Sequence, residues 1–397
     1  MTTVKLGEIC DFLNGGAWSD KEYVLTGLPV LKVTNCKPSG FALSDIDYLP
    51  YSAAEKYAKN KLELGDVIIA TVGSHPNLKD SAAGRSCVVN SMVEGYYLNQ
   101  NAVCMRTKDT DVLDQGYLGY LSIYYEFQHF IQMRGRGAAN QMRIAISSIK
   151  EYDCTLPNIK TQRRIASILS TYDDLIENNQ KQIKLLEEAA QRLYKEWFVD
   201  LHFPGYENVK VVDGVPEGWK RKKLIDIANV QYGYAFNGSL FNSEKKGMPI
   251  IRIRNIPSSS TNDYTTETAD EQYLVYNGDI VVGMDGEFHI NSWADDTAYL
   301  VQRTCKIKPI IPEMNGYLLW AIYEPIKYFE KTVVGATVAH LGKKHIDTIS
   351  LLVPPQNLYV YLQSIFDKRQ LLMNQNKLLK EARDRLLPKL MSGELEV

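Results

Sequence analysis

The sequence predicts an α+β protein: two globular α/β domains separated by two long helices that pair as an antiparallel coiled coil, with a pseudo-twofold internal repeat. Three observations carry this. Residues 161–199 contain neither Gly nor Pro and keep an apolar stripe. A second long stretch with an apolar stripe runs over 356–391, with no Gly and a single Pro at 388. The segments before each of them match one another in a single ordered series.

The series begins with Val4-Lys5-Leu6-Gly7 and Lys223-Leu224-Ile225, each opening a short amphipathic segment that ends at Gly15-Gly16 or Gly233. Residues 27–35 (GLPVLKVTN) are echoed by 247–255 (GMPIIRIRN), read as a turn and then a strand with alternating basic and apolar residues. On that reading Arg252 and Arg254 share a face. Residues 64–69 (LGDVII) pair with 277–282 (NGDIVV), again a turn into a strand. Gly116-Tyr117-Leu118 and Gly316-Tyr317-Leu318 each open a helix, and 149–157 and 346–354 are apolar strands stopped by proline. Any one match is weak, because Gly-Asp and Gly-Tyr-Leu recur by chance. The order of the whole set is not.

Each globule is followed by its long helix. At about 1.5 Å per residue, 161–199 would reach about 55–60 Å, too long for one domain's core. It therefore serves as a spacer that needs a helical partner. Ile168, Tyr172, Leu175, Asn179, Ile183 and Leu186 mark the pairing stripe of the first helix, and Leu362, Ile365, Leu372, Asn376, Leu379 and Leu386 that of the second. Asn376 stands as far from Asn179 as Ile365 does from Ile168. A polar Asn on an apolar seam fixes register and orientation at a cost in stability; the alternative is a solvent-facing Asn. The boundaries read 1–157 for the first globule, 158–200 for its helix, 201–219 for a Pro/Gly-rich linker, 220–355 for the second globule, 356–391 for its helix and 392–397 for a tail. Tyr194, Trp197, Phe198 and Phe203 tuck the helix end against the second globule or meet a partner subunit.

Composition narrows the function. A formal net charge of −2 leaves any nucleic-acid binding to local basic loops. Six scattered cysteines without a C-x-x-C pair argue for buried thiols and no metal site. With no long apolar run, the chain reads as soluble and cytoplasmic, with no membrane partner. There is no phosphate loop, G-x-G-x-x-G, G-x-S-x-G or H-E-x-x-H motif, and no Asn/Asp-Pro-Pro-aromatic element. Asp213 and Glu217 with Lys220 have the wrong spacing for a nuclease set. No catalytic residue is assigned.

What remains are donor-rich loops. Residues 134–143 (RGRGAANQMR) offer Arg134, Arg136, Asn140, Gln141 and Arg143, residue types that read guanine and adenine edges, with glycines that let backbone approach phosphate. The equivalent loop of the second half carries His340, Lys343, Lys344 and His345. Ser74, His75, Asn77 and Lys79 follow the first Gly-Asp strand, whereas their counterpart, residues 285–289, is acidic. With Arg252 and Arg254, these are the candidate DNA contacts. For each one singly, a solvated charge is an equal alternative.

The helix opening Thr161-Gln-Arg-Arg-Ile165-Ala, the run Leu193-Tyr-Lys-Glu-Trp-Phe198 into Phe203-Pro-Gly205, Pro216-Glu-Gly-Trp219 and the ending Leu387-Pro-Lys-Leu-Met-Ser-Gly-Glu394 resemble the DNA-specificity subunit of type I restriction–modification systems, over essentially the whole chain. The resemblance implies two target-recognition domains, 1–157 and 220–355, each reading one half of a bipartite, asymmetric double-stranded DNA site. The helix pair would set the gap between halves and dock two methylation subunits, and through them restriction and translocation subunits. S-adenosylmethionine, ATP and magnesium would then lie on partners and no cofactor on this chain. The second helix opens Gln356-Asn-Leu358, departing from Gln162-Arg-Arg164. Two other classes remain: a scaffold or inhibitor of this fold that does not read DNA, and a piece of a fused endonuclease–methyltransferase extending past Val397, against which the last residues read as a natural end.

Overall fold

The fold is described from a computed structural model. It describes residues 2–37, 40–43, 45–74, 83–138, 141–332 and 339–397, with the backbone alone for Thr2, Ala138 and Gln141. The chain divides into two compact units, residues 1–174 with 381–397, and residues 175–380.

In the first unit the strand Thr2–Lys5 pairs antiparallel with Asp153–Leu156. It leads into a single helical turn, Leu6–Ile9, whose Leu6 N–H donates to the Tyr152 carbonyl at 2.9 Å. A four-stranded sheet follows in the order Cys10–Asn14, Ala102–Thr107, Val67–Ala70, Ser86–Val88, and a three-stranded sheet places Leu28–Leu31 between Tyr97–Leu98 and Asp47–Leu49. The helices Gln115–Ile123 and Tyr125–Gln132 cover the four-stranded sheet with Tyr117, Leu118, Leu121, Phe127 and Ile131.

The second unit repeats this frame. Lys220–Lys223 pairs with Ser350–Val353, and the Leu224 N–H donates to the Ile349 carbonyl at 2.9 Å. Its four-stranded sheet runs Ala228–Tyr232, Thr304–Pro309, Ile280–Gly283, Ile290–Ser292. The parallel pairing of Leu28–Leu31 with Tyr97–Leu98 recurs between Met248–Ile251 and Ala298–Leu300.

The matched sequence motifs prove to be matched contacts. A Cβ on Gly15 would sit 1.8 Å from the Asn99 carbonyl oxygen, and one on Gly233 would sit 2.0 Å from that of Val301. Both glycines are forced by a close backbone approach. In the Gly-Asp turns, Asp66 accepts from the Glu63 N–H at 2.8 Å and Asp279 from the Tyr276 N–H at 2.9 Å.

One strand ends earlier than its sequence implies. Residues 253–255 wind into a 3-10 turn after the strand Met248–Ile251, because the Asn255 side chain accepts from the Arg252 N–H at 2.8 Å. Asn35 does the same for Lys32. Arg252 and Arg254 therefore do not share a strand face.

The long helices are Ile159–Tyr194, continued by one π-helical turn Lys195–Val199, and Gln356–Ser392. Within the first unit, Ile165 and Leu169 share a core with Leu386, Leu387 and Leu390, and Arg383 bonds Asp173 at 2.5 Å. Within the second, Glu187 meets Arg369 at 2.7 Å and the Trp197 ring lies 5.2 Å from that of Tyr361. As one helix advances its partner retreats, so in each unit the two run antiparallel. The pairing stripe needs one correction. Leu175 is 46% exposed, while Ile176, one residue on, is 6% exposed. The steps Ile165, Leu169, Tyr172, Ile176, Asn179, Ile183 alternate four and three, the spacing that keeps a coiled-coil seam facing its partner. Asn179 and Asn376 are both buried.

The expected departure at the start of the second helix is repaired locally. In the first helix Gln162 accepts from the Asp114 N–H at 3.0 Å; in the second, Gln363 accepts from the Gly316 N–H at 2.9 Å. Residues 201–219 are packed rather than loose: Phe203 and Trp219 are buried in the second unit's core, and Val211–Val212 pairs with Val215–Pro216.

Candidate nucleic-acid interface

Within residues 134–143 the described strands form part of a three-stranded ribbon, with Arg136–Ala138 against Gln141–Arg143 and the latter against Val72–Gly73. Alternation fixes its faces. Met142 and Ile144 point inward and are buried, so Arg143 points outward. Gly135 permits this, because a Cβ there would lie 1.6 Å from the Met142 methyl. Gly137, at φ +132°, makes a bend that a side chain would strain.

Arg136 stands directly opposite Arg143, both exposed. Opposed residues in an antiparallel ribbon keep their Cβ atoms about 4.5–5.5 Å apart, and like charges so placed repel. Among the described residues neither has a carboxylate partner within ion-pair distance. Arg134 is held nearby, its guanidinium 3.4 Å from the centre of the Phe130 ring and donating to the Phe130 carbonyl at 3.1 Å. Arg134, Arg136, Ser147, Ser148 and Glu151 line a cleft of about 440 Å³. Such a surface suits a phosphate-bearing ligand.

The remaining first-unit candidates are less defined. Ser74 follows the Val72–Gly73 strand at the end of the ribbon. His75, Asn77, Lys79 and Asn140 lie outside the described residues, and for Gln141 only the backbone is described.

In the second unit several candidates are occupied by structural work. Arg254 makes a forked pair with the buried Asp263, at 2.7 and 2.8 Å. Arg252 lies over the Phe241 ring at 5.7 Å. His345 accepts from the Gly342 N–H at 3.0 Å and packs against Phe329. His340 Nδ1 meets Asp285 at 2.5 Å, and Asp285 is also bonded by Arg303. Burial pulls the Asp285 carboxyl up, but the hydrogen bonds from His340 and Arg303 outweigh it and hold it below its ordinary range. Lys343 and Lys344 stay exposed on a short turn, Lys343–Ile346. The arrangement brings the acidic loop of residues 285–289 onto the His340 loop, a meeting that sequence spacing does not announce.

Sequence reasoning passed over two basic features. Arg303 joins this cluster from a position with φ +69° and no local motif. The strand Lys220–Lys223 exposes all four of its residues, a run legible in the sequence but read only as the entry to the second globule. Among the described residues no group of three or more His, Cys, Asp or Glu could hold a metal ion, and all six cysteines are buried and unbridged. Nor is any described helix long and apolar enough to cross a membrane.

The sequence profile of the family described as Type I restriction modification DNA specificity domain matches residues 1–188 and again residues 216–381. The chain is 29% identical over 273 residues to the type I restriction enzyme MjaIX specificity subunit of Methanocaldococcus jannaschii, covering 63% of this chain and 62% of that relative's length. It is 22% identical over 423 aligned positions to the putative MjaX specificity subunit of the same organism, covering 99% of this chain and 93% of the relative. The crystal structure of a type I restriction–modification S subunit from M. genitalium has the same fold, with a TM-score of 0.57 at 15% identity over 98% of this chain and 95% of that one. With two copies of the profile spanning most of its length and the frame repeated in each unit, the chain belongs to the type I restriction–modification DNA specificity family.

Proposed function

We propose that this chain is the non-catalytic sequence-recognition subunit of a type I restriction–modification complex. It reads a bipartite, asymmetric duplex site, one half-site for each globule. It also scaffolds two methylation subunits and, through them, the restriction subunits, in the cytoplasm. The observation that carries this is one frame bearing two unlike loop sets. Where the first unit opposes Arg136 and Arg143 on an open ribbon, the second closes its loop with Asp285, His340 and Arg303. A repeat built to read two identical half-sites would have no use for that divergence.

We assign the globules to residues 1–157 and 220–355, the spacers to 158–200 and 356–391, and the seam residues to holding register. From the candidate contacts we retain Ser74, Arg134, Arg136, Arg143, Lys343 and Lys344 on geometry, and His75, Asn77, Lys79, Asn140 and Gln141 on sequence. With little net charge, the chain alone binds DNA modestly and tightens when partners add phosphate contacts. Gel shift of the purified chain, with and without the methylation subunits, against specific and scrambled duplexes tests this. A complete complex that methylates DNA without sequence preference would sink the reading.

A further inference from the structure

The two copies of the frame differ at one place that DNA reading does not explain. Tyr117 and Tyr317 hold equivalent positions on equivalent helices, and both are buried. Beside Tyr317 lies the end of the central helix, with the Tyr194 ring 6.0 Å away and the Phe198 ring, in the π-helical turn, 5.4 Å away and edge to face. Trp219 backs Phe198 at 5.7 Å, and Phe203 backs Trp219 at 5.0 Å. Aromatic rings fill that seat completely enough to leave Phe198, Phe203 and Trp219 buried.

Beside Tyr117 the corresponding space is a cleft of about 560 Å³, lying wholly within the first unit. That is within the roughly 300–1,000 Å³ of ligand-sized sites. Its floor is apolar and already built: Tyr117, Leu121, Ile165 and Leu390 each line it and are each under 10% exposed. Residues 392–397 pass along its edge and bring no aromatic ring. The rim is acidic, with Glu126, Asp153 and Glu396, and among the described residues no lysine, arginine or histidine lines it.

We propose that this cleft is a docking seat for a segment of a partner protein that carries aromatic side chains flanked by lysine or arginine. The filled copy says what shape of group the floor accepts, namely rings that stack edge to face on a buried tyrosine. The rim says what charge must accompany them. Three carboxylates around an apolar floor favour a cationic flank and disfavour an acidic one, which gives selectivity over other aromatic segments.

The test uses a fluorescein-labelled peptide of residues 191–205 of this chain carrying Glu196→Lys and Asp200→Lys, titrated with the full chain and followed by anisotropy. Saturable binding is expected, several-fold weaker for the same peptide without the two lysines. It should weaken at least tenfold for the chain variant Glu126→Lys/Glu396→Lys. Glu55→Lys, an exposed charge reversal elsewhere in the first unit, should leave it unchanged. Both rim positions are exposed, so an unaltered melting curve is expected for each variant. Absence of saturation, or equal binding by the rim variant, overturns the proposal. So does self-association of the full chain in sedimentation that Glu126→Lys/Glu396→Lys abolishes, which would make a second copy the occupant.

Discussion

Arg136 and Arg143 oppose one another on a ribbon that gains nothing from two like charges, so their placement costs stability unless a ligand supplies the counter-charge. Arg143→Ala is therefore expected to leave thermal stability unchanged or raise it by about 0.2–1 kcal/mol. In the assembled complex it should weaken DNA binding and flatten the dependence of log K on log salt by about one phosphate contact. Melting curves and salt-series binding check both; a destabilised protein with unchanged binding would reverse the assignment. Arg254 makes the contrast. Its forked bonds reach the buried Asp263, so Arg254→Ala removes the charged donor from a buried carboxylate and should cost about 1–3 kcal/mol in a denaturant midpoint. DNA binding should suffer only in proportion to the loss of fold. Composition told these arginines apart no better than chance: both stand in basic stretches, and Arg254 has its partner nine residues further along on another segment. Asp285 adds a pH dependence. Because its folded carboxyl sits below the ordinary value, the Asp285–His340 contact stabilises the fold above the carboxylate's unfolded pKa. That contribution is lost as pH falls through the lower folded value.

At the scale of the helix, the seam shows how far periodicity carries. The existence and span of the two long helices follow from apolar spacing and the scarcity of Gly and Pro, the second helix carrying Pro388 alone, and their antiparallel pairing follows from the internal repeat. Which of Leu175 and Ile176 faces inward turns on whether the steps alternate strictly between three and four, and two adjacent apolar residues satisfy a looser stripe either way. Ile176→Ala should cost about 2–5 kcal/mol and Leu175→Ala no more than about 0.5, read from unfolding midpoints. Asn376 carries a different signature: its side-chain oxygen is buried with no hydrogen-bond partner among the described residues. Asn376→Leu should raise the melting temperature, since an unpaired buried polar atom is unfavourable. If that Asn also fixes register, the variant should lose uniqueness, seen as broadened or doubled methyl signals. The packing of Phe198 and Phe203 into the second globule was one of the two places the sequence offered for them, whereas the cleft beside Tyr117 lay beyond this kind of reading, because it depends on where distant segments meet in three dimensions.

For the molecule as a whole, the proposed function makes the helices a ruler and the globules two readers, and the separability it requires can be tested on one readout. Inserting four residues after Gln180 adds about 6 Å of helix. Neither globule's loops lie in that stretch, so their base preferences should stand. Sequencing methylated adenines in cells carrying the insertion should return the same two half-sequences with a longer gap between them. Arg136→Ala should do the opposite, relaxing positions in one half by the equivalent of about 1–3 kcal/mol for each lost base contact while gap and second half persist. The native protein should show two unlike halves, because the ribbon of residues 134–143 and the closed loop around Asp285 present different donors on one frame. Identical halves would mean that the loops do not read bases. An insertion that rewrote a half-sequence would mean that the helices take part in the reading and do not merely space it.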